Sequence, residues 1–266
     1  MRHLDGSLGR TLFAAFIGFL FCATSSYAIN LSPAETGRIG RKVWDNECNG
    51  SVAGLTSWNA GENFASLGIG HFIWYPKDMR GPFDESFPKF VDNVTSRGKK
   101  VPAFTHGPCP WNSRMEFEHA AQTDMMKQLR QFLVATIDEQ AQFLVLRLDT
   151  SLQKMLAAAP PNERAKVERQ FNRIASARGR GSYALVDYVN FKGEGVLETE
   201  RYHGEGWGLL QVLQEMSGAE SADPARDFAG AARKVLSRRV QNSLPERNES
   251  RWLAGWLARI GTYDRD

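Results

Sequence analysis

Glu47 stands where a single carboxylate could do chemistry. It follows Val43 by one helical turn and Ile39 by two, so a helix through this segment puts it in line with two apolar side chains. A carboxylate at the end of an amphipathic helix, turned inward beside aromatic residues, is desolvated, and desolvation favours the protonated form. Holding a proton near neutral pH is what a general acid must do. Downstream lie further polar groups in a turn-rich, aromatic stretch: Asn59, Glu62 and Ser66, then Gly68-Ile69-Gly70-His71. His71 reads as a structural hydrogen-bonding residue rather than a catalyst.

A second stretch carries chemistry-bearing residues. Asp187 and Asn190 are three apart on an expected helix. A Gly-rich acidic loop with Glu194, Glu198 and Glu200 follows, then Trp207 and Gly208-Leu209-Leu210-Gln211. Glycines allow close backbone approach, and aromatic rings with amides are what sugar rings stack on and bond to. The stretch therefore reads as the lining of a cleft, and Glu194 is a rival to Glu47 for the role of acid.

The elements that must position these residues leave clear marks. Ser32-Pro33-Ala34-Glu35 reads as an N-cap, a first-turn proline and a capping-box glutamate, opening a helix that runs out between Asn46 and Gly50. Leu55 to Tyr75 has the turn residues and β-prone flanks of a small hairpin sheet. Pro88 to Pro110 reads as irregular. Beyond it helices are expected almost to the end, with starts at Ser113-x-x-Glu116, Thr136-x-x-Glu139, Pro160-Pro161-Asn162 and Asp223-Pro224. Leu129, Phe132, Leu133, Thr136 and Ile137 have the spacing of a buried helix face. The fold class is α+β and mostly α-helical: one domain over 29–266, with a small N-terminal β-hairpin sheet beside a helical lobe.

A helix ending in Glu47, a hairpin with polar turns and the Gly68-Ile69-Gly70-His71 segment together resemble the N-terminal lobe of phage-type lysozymes, within the lysozyme-like superfamily. The resemblance covers roughly residues 35 to 75. It implies that Glu47 protonates a glycosidic oxygen and that the hairpin supplies a second polar residue and a Thr-like group, here Ser66. The chain departs from that pattern in two respects. The interval from Glu47 to His71 is a few residues longer, and the hairpin Asp is matched only by Asn59 or Glu62. With Glu62 in that role a carboxylate pair survives. With Asn59 it is broken, because an amide is neither base nor nucleophile. A lytic transglycosylase needs only one acid/base, since the sugar's own hydroxyl attacks, and Gly208-Leu209-Leu210-Gln211 resembles the Gly-Leu-Met-Gln segment of those enzymes. The implied function is cleavage of β-1,4 glycan strands, peptidoglycan above all, by a muramidase or lytic transglycosylase. A catalytically silent glycan-binding protein and a chitin- or chitosan-cleaving enzyme are the alternatives.

Other chemistries find less support. Gly50-Ser51-Val52-Ala53-Gly54 has its serine in the wrong place for a nucleophile elbow. Cys48 with His71 would suit a cysteine peptidase, but the C-terminal end of a helix disfavours a thiolate. His106-Gly107-Pro108-Cys109 lacks a second ligand pair for zinc. Phosphate loops and dinucleotide fingerprints are absent, and no cofactor or metal is implied.

The first 28 residues read as an export signal: Arg2 and Arg10, an apolar run from Leu12 to Cys22, and small residues ending at Ala28. That run is shorter than the roughly 20 residues of a membrane span, and Leu20 and Phe21 are too bulky for a lipid-anchor site at Cys22. Export points to the periplasm, where Cys48 and Cys109 would be expected to pair as a disulfide. The chain has 33 Lys and Arg against 30 Asp and Glu, and removing Arg2, Arg10 and Asp5 leaves 31 against 29. Such a balance gives no argument for nucleic acid. The partner expected is a glycan polymer, and the protein is expected to be a monomer. Basic residues do gather late, at Arg233, Lys234, Arg238, Arg239, Arg247, Arg251 and Arg259. They form either a weakly basic face for an anionic polymer or a solvated helix surface.

Overall fold

The computed structural model describes residues 29 and 31–265, apart from 82, 178, 220 and 221, so the segment expected to be an export signal lies outside the described residues. Helix α1 spans Pro33–Cys48. Ser32 caps it as its sequence requires: the hydroxyl accepts from the Glu35 N–H, while Glu35 accepts from the Ser32 N–H at 2.9 Å. Asn49 ends it in the left-handed conformation.

The chain then forms a three-stranded antiparallel sheet of β1 (Thr56–Ser57), β2 (Ala65–Leu67) and β3 (Phe72–Trp74), in that order. Ala65, Leu67, Phe72 and Trp74 fill the core from one face. Ser57, Ser66 and Ile73 align in register on the other, as strand alternation dictates.

Helix α2 (Phe87–Ser96) occupies a stretch expected to be irregular. Pro88 is no obstacle to it, because a first-turn proline lacks only an N–H that has no helical partner anyway. Phe87, Phe90, Val91 and Val94 make its buried stripe. Helices α3 (Arg114–His119), α4 (Asp124–Ala135) and α5 (Ile137–Ala158) follow. Ser113 caps α3 as expected, with its hydroxyl accepting from the Glu116 N–H. Thr136 does not cap α5 with its side chain: its hydroxyl donates back to the Phe132 carbonyl, and Glu139 pairs with Lys99.

Helix α5 runs beside α1, at a separation so small that a Cβ on Gly40 would come within 2.9 Å of Ala141. Helices α6 (Arg164–Ser176) and α7 (Arg180–Lys192) come next. Residues Gly181 through Tyr188 of α7 are all buried, which marks it as the central helix of this part of the molecule. A short hairpin, β4 (Arg201–Tyr202) and β5 (Glu205–Gly206), interrupts the segment read as a loop. Helices α8 (Leu209–Glu215), α9 (Pro224–Asn242) and α10 (Ser250–Ile260) complete the fold. The result is mostly helical with a small antiparallel sheet. Among the described residues no helix is long and apolar enough to cross a membrane.

Candidate functional site

Glu47 lies on the last turn of α1, with its side chain 12 % exposed. Groups from three distant segments converge on it. Arg259 of α10 donates from Nη2 to Oε1 at 2.5 Å, and Asn190 of α7 donates to the same oxygen at 3.1 Å. His71 brings Nδ1 to 3.5 Å from Oε2. The apolar surroundings expected around this carboxylate are thus replaced by a polar set with a cation at its centre. His71, read as a structural residue, faces the carboxylate directly.

Arg259 is itself held from behind. Asp187 accepts from its Nε and Nη2 at 2.8 Å each, from the Tyr263 hydroxyl at 2.6 Å and from Asn46 at 3.1 Å. Asp187 has no exposed surface. Burial of an ion pair costs desolvation that only dense hydrogen bonding offsets, and this carboxylate has it. Asp187 therefore anchors the site from the interior and does not line a cleft. Next to Asp187, Asn46 also donates to the Tyr183 hydroxyl at 2.7 Å, and Tyr183 contacts Thr262 at 2.8 Å.

The Gly68-Ile69-Gly70-His71 turn is fixed by a side chain that the sequence did not single out. Gln140 of α5, fully buried, accepts from the Ile69 N–H at 2.8 Å and donates to the Leu133 carbonyl at 2.6 Å. Gly68 has φ +69° and a Cβ there would sit 2.3 Å from the Gln140 Oε1, so both backbone conformation and space demand glycine. His71 follows at φ +45°, a conformation uncommon outside glycine that aims the ring at Glu47.

Of the hairpin residues, Ser66 is buried on the middle strand, on the face away from the core. Asn59 and Glu62 bond each other at 3.0 Å in the β1–β2 connection, where Asn59 is exposed and Glu62 half-buried. Neither bonds Glu47.

Glu194 belongs to a different cluster. It accepts from Ser151 at 2.8 Å and from Lys154 at 3.0 Å. With Asp84, Lys89, Arg147 and Val189 it lines a surface pocket of about 380 Å³. Burial pushes the Arg147 guanidinium down there, against the opposing charges of Glu194 and Asp84. Val189 lies in this lining and its neighbour Asn190 touches Glu47, so the pocket and the Glu47 cluster adjoin along α7.

Trp207 and Gln211 are both buried. Gln211 accepts from the Gly208 N–H at 2.9 Å and donates to the Gly195 carbonyl at 3.0 Å, so its amide stitches the loop to α8. Trp207 receives the Tyr188 hydroxyl on its carbonyl and the Arg239 guanidinium on its ring, 4.1 Å from the centroid. Both residues, expected to bind substrate, instead hold the loop together.

Lys192, at the end of α7, was not anticipated. Its Nζ lies 3.5 Å from the ring centroid of Trp256 and 3.9 Å from that of Phe191. Burial, with the nearby charges of Arg239 and Arg259, pushes the amine down to about 6, against the opposing pull of Glu249 and Glu47.

The expected disulfide is not formed: Cys48 and Cys109 are both buried and free. Cys48 sits at the Gly68 end of the hairpin, with its sulfur 3.9 Å from the Gly68 carbonyl. Cys109 bridges to Pro76 beyond the other end of β3, its N–H donating to the Tyr75 carbonyl. Burial pushes both thiols up to about 12. Among the described residues no group of three or more His, Cys, Asp or Glu is arranged to hold a metal ion, the His106–Cys109 segment included.

Comparison with protein-family models, with curated proteins and with solved structures finds no match to this chain.

Proposed function

We propose that this protein is an exported, lysozyme-like enzyme that cleaves β-1,4 glycan strands of peptidoglycan, with Glu47 as its general acid. The observation that carries this reading is the convergence on Glu47 of His71 from the Gly-x-Gly-His turn and of Asn190 and Arg259 from the helical part. A carboxylate held at a helix end by three partners is positioned as a proton-transfer group must be. Protonated, Glu47 would give its proton to the glycosidic oxygen as the bond from C1 to that oxygen breaks.

Two routes complete the reaction. In the hydrolytic one, water adds to C1 with Glu62 as the second carboxylate. In the lytic one, the C6 hydroxyl of the same sugar attacks C1 and its proton returns to Glu47, which leaves an anhydro end. The engagement of Glu62 with Asn59, away from the polar partners of Glu47, favours the one-carboxylate route. In either route Arg259 has to loosen its hold on Oε1 as the proton is loaded.

That hold also favours a second reading, a glycan-binding protein without catalysis in which Arg259 keeps Glu47 occupied. Incubating the mature chain with sacculi and separating the soluble muropeptides distinguishes the two. The proposal expects soluble fragments with anhydro ends, lost in Glu47→Gln and retained in Glu194→Gln, which is expected mainly to weaken binding. Binding to sacculi with no fragments at any pH would establish the silent reading. Activity lost in Glu194→Gln but kept in Glu47→Gln would move the acid to Glu194.

A further inference from the structure

The late basic residues divide into two groups. Arg233, Lys234, Arg238, Arg239 and Arg259 each pair with a carboxylate, on Asp264, Glu215, Glu205 or Glu215, Glu249, and Asp187 with Glu47 respectively. Arg247 and Arg251 have no carboxylate partner among the described residues, and both are exposed. Arg247 donates to the Tyr202 hydroxyl at 3.0 Å. Arg251 lies over Trp252, 4.4 Å from the ring centroid. Trp252 is 43 % exposed, a large apolar surface to leave in water.

Trp252, Trp256 and Arg259 are spaced i, i+4 and i+7, so α10 lines them up on one face. The seven residues from Arg259 to Trp252 rise about 10 Å along the axis. The two indoles form an offset pair, with centroids 6.1 Å apart and planes at 30°. Lys192 rests on Trp256, its Nζ 3.5 Å from the ring centroid. A stripe of aromatic rings, bordered by Lys192 and by two arginines without a carboxylate partner, thus runs from the Glu47–Arg259 contact to the surface.

We infer that this stripe of α10, with Lys192 beside it, is an extended subsite for a glycan strand that bears carboxylates, its sugar faces stacking on Trp252 and Trp256 and its acidic substituents meeting Lys192, Arg247 and Arg251. The inference rests on the proposed glycan-cleaving function and adds where the strand lies and which charge it carries. Flat aromatic faces suit pyranose rings, and arginines without a carboxylate partner suit an anion supplied from outside. A membrane surface would also attract Trp and Arg. The line of the stripe, leading inward to the Glu47 carboxylate rather than across the molecule's outside, favours a polymer that must reach that carboxylate.

The experiment is co-sedimentation of the Glu47→Gln chain with intact sacculi, with sacculi whose carboxylates are amidated, and with vesicles of equal parts phosphatidylglycerol and phosphatidylcholine. The same Glu47→Gln chain carrying Trp252→Ala or Arg251→Gln with Arg247→Gln is run alongside, with melting temperature as the check on folding. Removing one stacking ring is expected to weaken sacculus binding about tenfold at unchanged melting temperature. Amidation of the polymer is expected to weaken it similarly. Undiminished binding by both variants, in a protein whose Glu47 form digests sacculi, would overturn the subsite and leave the proposed function standing. Binding lost only on vesicles would make the stripe a lipid surface and overturn the inference. A Glu47 form that neither binds nor digests sacculi would overturn both.

Discussion

Arg259 links two carboxylates of opposite circumstance, fully buried Asp187 behind it and partly exposed Glu47 in front. Asp187 receives the guanidinium through two nitrogens, while Glu47 shares only one of them. The two contacts should therefore respond differently to mutation. Asp187→Asn leaves Arg259 buried with half its compensation and removes a charged acceptor from Tyr263. Breaking a buried pair from one side costs about 3–5 kcal/mol, and unfolding by denaturant should show a loss of that order. Glu47→Gln leaves the Asp187 contacts in place and keeps an acceptor toward Arg259, so its loss should be about 1 kcal/mol. Equal losses would mean that Arg259 depends on Glu47 as much as on Asp187.

The His71 turn gives a second prediction. Gly68→Ala puts a Cβ against the Gln140 amide at a positive φ, and such strain with a steric displacement costs about 2–4 kcal/mol. Gln140→Leu strands the Ile69 N–H and the Leu133 carbonyl in the core, at about 1–3 kcal/mol for each unpaired group. Both variants should unfold at lower denaturant. If Gly68→Ala were as stable as the unaltered chain, the close approach of Gln140 would be wrong.

Local signals carried much of this architecture. The capping box at Ser32, the caps at Ser113 and Asp223 and the turn-rich hairpin each act within a few residues, and each formed as its sequence expects. The inward side of Glu47 followed from helical period, whereas its contact with His71 did not follow from the motif. What was not legible depends on partners far along the chain. Arg259 lies 212 residues from Glu47 in sequence, and nothing near either residue announces the contact. Gln140 reads as an ordinary helix surface residue until the Ile69 N–H is found to need an acceptor. In the sequence Asp187 and Gln211 read as cleft residues, because composition cannot tell a polar group spent on the interior from one offered to a ligand.

The cysteines give a third prediction. With both thiols buried and pushed up to about 12, native protein prepared without reductant should react slowly with a thiol reagent at neutral pH. Unfolding should then expose the Cys48 and Cys109 thiols to the reagent, and added reductant should leave the melting temperature unchanged. A melting temperature lowered by reductant would show a bond that the structure does not contain.

Lys192 gives the last prediction, because its amine is held down to about 6, well below an ordinary lysine. Burial is the main cause. The surrounding charges are Arg239 on α9, Arg259 on α10, Glu249 just before α10 and Glu47 on α1. Above pH 6 the folded protein holds this amine neutral, while the unfolded chain keeps it protonated up to about 10.4. The unfolded state therefore binds the extra proton between those limits, and this residue's contribution to stability rises with pH across them. Below pH 6 both states carry the proton and the burial penalty is felt in full. Binding of a carboxylate has the opposite dependence. An anion favours the ammonium form, so binding takes up a proton, and affinity for a carboxylate-bearing glycan should strengthen as pH falls from 8 to 6. Lys192→Met keeps the apolar stem on Trp256 and removes the titration. It should flatten both dependences, measured by sacculus co-sedimentation and by thermal unfolding across the same range. Uptake of a proton seen equally by calorimetry in Lys192→Met would assign the linkage to another group.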